Sequence, residues 1–187
     1  MPWLKVRTSM LTHYWNLIEN NKSLVKQTLM KLYKIKKSNI DRNGRGLYAT
    51  KNIKAGTKII EYVGNIITKK QTEDSGKFDN SKPIYLFNLN KRYDLDGLVS
   101  WNPARLINHS FTNNADYEGT GLKIWVVSNR EIKKGEEITF DYRFGYDSDY
   151  KQFPCKCNSI NCCGYIVRTD SRWRIIKRFK ISNRTNK

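Results

Sequence analysis

No apolar run in this chain approaches the ~20 residues that a membrane-spanning helix needs. The first ten residues, Met1 to Met10, lack a hydrophobic signal core, so classical secretion is not expected. Acids are scarce at both ends: residues 1–37 hold one, Glu19, against eight Lys/Arg, and residues 150–187 hold one, Asp170, against ten. Cysteine is confined to Cys155, Cys157, Cys162 and Cys163, and without a secretion signal these are not expected to form disulfides. What is present fits a soluble globular protein: 187 residues, 39% apolar and 28% charged, enough for one domain with a real core and modest additions. The net charge is +18, yet residues 38–149 are close to neutral, with seventeen Lys/Arg and fifteen acids. Basic flanks on a neutral middle admit two readings, solvated tails that aid solubility or a footprint for a polyanion such as DNA or RNA.

The hydrophobic pattern divides the chain. Residues 1–33 read as a helical N-terminal cap. Met10, Leu11, Tyr14, Trp15, Leu17 and Ile18 follow helical spacing, as do Leu24, Val25, Thr28, Leu29, Leu32 and Tyr33, and Ser23 is placed to cap the second run. Residues 34–149 read as short strands and turns. Ile59–Val63, Ile84–Phe87, Leu122–Val127 and Ile138–Phe140 are β-rich, and Thr68–Lys82 reads as a surface loop or short helix. Asn52–Ile59 and Glu131–Ile138 echo each other as strand, glycine turn, strand. Residues 150–166 carry the cysteines. Residues 167–187 form a basic tail in which Trp173-Arg174-Ile175-Ile176-Lys177-Arg178-Phe179-Lys180 can present one apolar helical face, to pack on the core or to leave Arg and Lys free for nucleic acid.

Five segments carry chemistry. Asn43-Gly44-Arg45-Gly46-Leu47-Tyr48-Ala49 holds a Gly-x-Gly turn, where no Cβ blocks close approach of backbone to a ligand. Glu61-Tyr62-Val63-Gly64 and Tyr93-Asp94-Leu95-Asp96-Gly97 follow. Arg105-Leu106-Ile107-Asn108-His109-Ser110 ends in an amide, an imidazole and a hydroxyl, and Glu137-Ile138-Thr139-Phe140-Asp141-Tyr142 ends in a carboxylate and a phenol.

In this order the five segments resemble the SET-domain protein lysine methyltransferases, over about Lys34 to Tyr165. The resemblance implies a mainly β fold with helical ends, its small curved sheets built around a pseudoknot-like crossing of the Asn-His and Asp-Tyr segments. It implies S-adenosylmethionine as methyl donor, contacted by Gly44, Arg45, Gly46, Arg105, Asn108, His109 and Tyr142, with Tyr62, Phe140 and Tyr142 at a lysine channel. The chemistry agrees with these residue types. An in-line displacement at a sulfonium needs alignment and exclusion of water. The target lysine must be neutral, and a narrow aromatic channel disfavours its ammonium. Aromatic faces also stabilise the positive methyl-sulfonium. Tyr142 is assigned orientation and electrostatic support, because a phenol near pKa 10 is seldom ionised at neutral pH. Arg105 and Asp141 can alternatively be structural, held by buried pairing. The family varies Phe and Tyr at the place of Phe140, and Phe implies di- or trimethylation.

Cys155-x-Cys157-x4-Cys162 is similar to the family's post-SET segment, where three thiolates and a cysteine just after Asn-His-Ser hold one Zn2+. Phe111 stands at that fourth position here. Zinc on Cys155, Cys157 and Cys162, with water, Cys163 or a partner residue as fourth ligand, and four reduced thiols packing a turn both remain open. Asn65 and Trp101-Asn102 also depart from the family pattern. The resemblance implies a histone tail as substrate and a nuclear or chromatin location, otherwise cytoplasmic, while the basic flanks around a near-neutral middle suggest nucleosomal DNA or other nucleic acid as a further partner. Methylation of a non-histone protein, or an inactive SET fold that binds chromatin or nucleic acid, are the alternatives. No membrane partner is expected.

Overall fold

The chain divides between Leu32 and Tyr33, and the computed structural model describes residues 31–78 and 84–176. The helices expected within residues 1–33 lie outside the described residues up to residue 30, as does the tail beyond residue 176. Tyr33, expected at the end of a helix, instead opens a strand. Short apolar runs do not separate the two periods, and here antiparallel pairing from Tyr33↔Ala49 to Lys37↔Arg45 decides.

The strands are β1 (Tyr33–Lys37), β2 (Arg45–Ala49), β3 (Lys58–Tyr62), β4 (Asn65–Thr68), β5 (Leu86–Asn88), β6 (Tyr93–Asp96), β7 (Asn108–His109), β8 (Ala115–Thr120), β9 (Lys123–Ser128) and β10 (Glu137–Phe140), with helix α1 (Lys69–Asp74) after β4. They form three small sheets ordered β1-β2-β10-β7, β3-β9-β8 and β4-β6-β5. The chain is mainly β, as expected. Helix α1 begins where Thr68 and Gln71 make a reciprocal capping box, within the stretch read as loop or short helix. At the other end residues 172–176 are helical. Ile175 is buried there, while Trp173 and Ile176 are exposed, so the described part of the expected apolar face packs through one residue.

Strand β10 lies at the centre. Its four residues are all buried, as befits a strand covered on both faces. It is antiparallel to β2 through Ile138↔Leu47 and parallel to β7 through Thr139↔Asn108 and Phe140↔His109. The two segments that carry most of the chemistry are thus laid side by side. Along β10 a side chain stands in for a strand neighbour. Buried Asn114 accepts from the Thr139 N–H at 2.9 Å and donates to the Glu137 carbonyl at 2.8 Å.

The two echoed segments meet. Ile53 and Ile132 exchange both backbone hydrogen bonds at 2.9 Å in an isolated antiparallel bridge. Around them the contacts are reciprocal. The Gly56 N–H reaches Ser128 O and the Gly135 N–H reaches Ala49 O, while the Ser128 N–H reaches Thr57 O and the Ala49 N–H reaches Glu136 O. Gly56 and Gly135 have φ of +76° and +86°, so each turn uses the left-handed region open to glycine. The first strand expected in each copy is a single bridging residue, and the second strands are β3 and β10. The two copies are related by an approximate two-fold axis through the Ile53–Ile132 bridge, which seats both isoleucines in the core.

Ile132 is fully buried at this bridge. Ile132→Ala is expected to lower unfolding stability by about 2–5 kcal/mol, the usual range for such a truncation, measured by urea denaturation.

Candidate active site

Rings from all three sheets converge. Tyr62 ends β3, Phe87 lies in β5, Tyr117 in β8, Phe140 ends β10 and Tyr142 follows two residues later. Successive centroids are 4.6 Å apart for Tyr62–Phe87, 4.8 Å for Phe87–Tyr117, 5.8 Å for Tyr117–Phe140 and 5.4 Å for Phe140–Tyr142. Edge-to-face and tilted contacts of this size each add to the value of burial. The line continues from Tyr142 to Phe144 at 5.6 Å and Phe153 at 4.8 Å. The sequence singled out Tyr62, Phe140 and Tyr142. It gave Phe87 only as part of a strand and Tyr117 not at all, because a ring becomes wall only when separate sheets meet.

Both phenols are fixed. The Tyr62 hydroxyl donates to Tyr85 O at 3.1 Å and the Tyr142 hydroxyl donates to Ile107 O at 2.8 Å. Burial first, and then neighbouring phenols and carboxylates, push both far above the ordinary tyrosine range, so both stay protonated at neutral pH. A phenol held protonated donates a hydrogen bond and is not a base. Arg143 follows with φ +54°, uncommon for a non-glycine residue. It is held by its N–H on Asp141 Oδ1 at 2.9 Å, by Asp116 at 3.2 Å and by its guanidinium 4.6 Å over the Tyr117 ring.

The Gly-x-Gly turn meets the Asn-His segment through a residue that sequence reasoning missed. The buried Glu137 carboxylate accepts from Ser38 Oγ at 2.7 Å, the Asn39 N–H at 2.9 Å, the Tyr48 hydroxyl at 2.8 Å and Asn108 Nδ2 at 2.9 Å. Asn108 Nδ2 also donates to Arg45 O at 3.0 Å and Ser38 Oγ at 3.0 Å. A Cβ on Gly46 would stand 2.3 Å from Glu137 Oε1 and 3.3 Å from Asn108 Nδ2, so the second glycine of the turn is demanded by this carboxylate. Gly44 makes room in the same way for Asp41, whose Oδ2 would lie 2.6 Å from its Cβ. Arg105 stands apart from Asp141: its Nε donates to Val99 O at 3.1 Å.

His109 is buried and neutral. Its Nδ1 accepts from the Tyr142 N–H at 3.2 Å, which places the ring proton on Nε2, a buried atom with no hydrogen-bond partner among the described residues. Burial first, with Arg172 adding and Asp141 opposing, pulls it down to about 4 from 6.5. Asp141 is indeed held by buried pairing, and its partner is Arg172, at 2.9 Å. Arg172 also lies 3.8 Å over the ring of Phe111, which meets His109 edge-on at 4.5 Å.

The sulfurs of Cys155, Cys157 and Cys162 lie within 4.8 Å of one another. Thiolates on a tetrahedral zinc stand roughly 3.8 Å apart, so the three fit one thiophilic ion after small shifts. Burial raises Cys155 and Cys162. Cys157, although burial opposes it, is drawn down to about 7 by hydrogen bonds from Ser159 and the Phe111 N–H. Cys163 is placed elsewhere: its thiol donates to Tyr165 O at 3.3 Å and packs with Phe111, Tyr150, Val167 and Ile175.

Comparison with known proteins agrees with this geometry. The SET domain family matches residues 44–143. Human histone-lysine N-methyltransferase 2D is 38% identical over 125 residues, 64% of this chain and 2% of its own length. Trithorax of Drosophila virilis, a histone-lysine N-methyltransferase, is 35% identical over 130 residues, 66% of this chain and 3% of its own length. The histone-lysine N-methyltransferase trr of Drosophila melanogaster is 36% identical over 125 residues, 64% of this chain and 5% of its own length. The chain therefore spans only a few per cent of these relatives.

Glu137→Ala removes the acceptor that four donors share and is expected to cost about 1–3 kcal/mol in urea denaturation. His109 supplies a pH signature. Its folded value lies below its unfolded value, so on acidification the unfolded chain takes the proton first. Its contribution is whole above about 6.5 and is lost as pH falls towards 4. Measured from pH 7 to 4, wild type is expected to lose on the order of 2–3 kcal/mol more unfolding free energy than His109→Gln.

Proposed function

The chain belongs to the SET domain family, and from that premise we propose that it is an S-adenosylmethionine-dependent protein lysine N-methyltransferase acting on a histone tail in nucleosomes. The observation that carries the proposal is the line of rings from Tyr62 through Phe87, Tyr117 and Phe140 to Tyr142, ending one residue pair from the joined Gly44–Gly46 and Asn108–His109 segments. The names of the relatives point the same way.

The residues fit the donor. The Gly44-Arg45-Gly46 turn, Asn108 and Tyr142 are brought to one place, and the Asn108 amide nitrogen is spent on Arg45 O, Ser38 and Glu137. Asn108 therefore holds the turn in shape, and contact with the donor falls to its oxygen and to the backbone of the turn and of His109. Arg105 supports this segment from outside through Val99. S-adenosylmethionine, when bound, supplies a methyl group on a positive sulfur.

The rings do the rest. They exclude water, orient the lysine amine and disfavour its ammonium. The carbonyls and ring faces beside Tyr142 favour positive charge at the methyl. Phe140 is buried and brings no hydroxyl to the wall, which leaves space for a methylated amine and favours di- or trimethylation. Cys155, Cys157 and Cys162 would hold zinc as a structural ion. A chain of charge +18 repels an isolated basic tail, so nucleosomal DNA is assigned to the basic flanks and the location is chromatin.

A radiolabelled methyl-transfer assay tests this. Nucleosomes are expected to be methylated faster than free histones, and the advantage to fall steeply as salt rises from about 50 to about 200 mM. Tyr142→Phe is expected to lower kcat by about 10²-fold, the effect of removing one positioned polar group at a reacting centre. Phe140→Tyr is expected to shift mass-resolved products towards monomethyl-lysine. Equal rates on both substrates would remove the role of DNA, and an unchanged Tyr142→Phe rate would remove that of Tyr142.

A further inference from the structure

In the pattern this chain resembles, a cysteine after Asn-His-Ser joins three cysteines of the following segment on one ion, so the metal cross-links core and C-terminal segment. The three sulfurs here all come from residues 155–162, and among the described residues no further Cys, His, Asp or Glu joins their group. The core still reaches that segment. The hydroxyls of Ser110 and Thr112, on either side of residue 111, lie 3.1 and 3.0 Å from Ser159 Oγ, between Cys157 and Cys162. The core thus approaches the tripod at the expected place and brings a ring in place of a thiolate.

That ring is engaged in a different cross-link. Phe111 is buried with Tyr150, Cys163, Val167 and Ile175, a cluster composed of one core residue and four from the C-terminal segment. The Arg172 guanidinium covers the Phe111 ring at 3.8 Å and reaches Asp141 at 2.9 Å, with both charged side chains nearly buried. Its NH2 also meets Thr169 Oγ1 at 2.9 Å. A planar guanidinium stacks on a ring and bonds a carboxylate at once, which an ammonium does not. The other charged tie between core and C-terminal segment among the described residues, Lys156 to Asp41 at 3.4 Å, is exposed and correspondingly weak.

We propose that Arg172, stacked on Phe111 and paired with Asp141, docks the C-terminal segment on the core in place of the metal, and that the cysteine tripod holds its ion through three thiolates with an exchangeable solvent ligand in the fourth position. The two functions joined in one ion elsewhere are here separate. The docked face lies against Asp141, which neighbours Tyr142 and His109. The ion stiffens only the turn that carries it.

The whole chain, loaded with Co2+, tests both halves with readouts independent of methyl transfer. The sulfur-to-cobalt absorption of wild type is expected to be about three quarters of that of Phe111→Cys, in which a fourth thiolate becomes available. Added azide is expected to shift the visible cobalt bands of wild type and not those of Phe111→Cys. Cys163→Ser is expected to leave the wild-type spectrum unchanged. Hydrogen exchange over residues 165–176 reads docking. Chelation of the metal is expected to leave this exchange slow in wild type, whereas Arg172→Met quickens it while keeping the three-thiolate spectrum. In Phe111→Cys slow exchange is expected to depend on the metal. A wild-type spectrum of four thiolates, loss of intensity in Cys163→Ser, or undocking of wild type by the chelator overturns the proposal. The azide and chelator arms need no variant, so they decide even if Arg172→Met fails to fold.

Discussion

The Glu137 carboxylate is the constraint on which the site depends. It sits in the buried central strand, where an uncompensated charge is costly, and it is compensated by four donors. Those donors come from the end of β1, from β2 and from β7. One carboxylate therefore ties the turn after the first strand to the segment that enters the site. It also dictates the glycine at position 46, since a methyl group there would overlap Oε1. The small residues of the turn are thus required by the hydrogen bonds beneath it.

Around this centre the sheets are arranged by an approximate internal symmetry. The bridge between Ile53 and Ile132, with its matched bonds to Ser128 and Ala49, sets β3 and β10 as equivalent strands leaving one axis. Each ends in a ring of the aromatic line, Tyr62 on one and Phe140 on the other. That line thus follows from how the two echoed hairpins meet, with Phe87 and Tyr117 between them.

Electrostatics divides the molecule into regions of different work. Among the described residues three buried carboxylates have a cationic partner, Asp141 in Arg172 and Asp94 and Asp96 in Lys69 and Lys77, and Glu137 relies on neutral donors. His109 is held neutral between Tyr142 and Phe111, because burial, aided by Arg172, outweighs the nearby Asp141 carboxylate. The net charge of +18 is carried chiefly by residues 1–37 and 150–187 of the sequence, and residues 38–149 are close to neutral.

The sequence alone determined the β character, the order of five motif segments and, through them, Tyr62, Phe140, Tyr142, Asn108 and His109, together with the cysteine trio and the anomaly at Phe111. These are legible because each lies in a short segment whose neighbours give it meaning. Only the tertiary structure decided that Glu137 is the hub, that Phe87 and Tyr117 complete the wall, that Arg172 is the partner of Asp141, and that Cys163 stands apart from the other three. The Ser38–Glu137 bond joins residues 99 apart, and Arg172 and Asp141 are 31 apart. A carboxylate in a strand or an arginine in a basic tail has no local signature of its partner. The partner is chosen when burial removes water and leaves each charge only the groups that packing brings within reach.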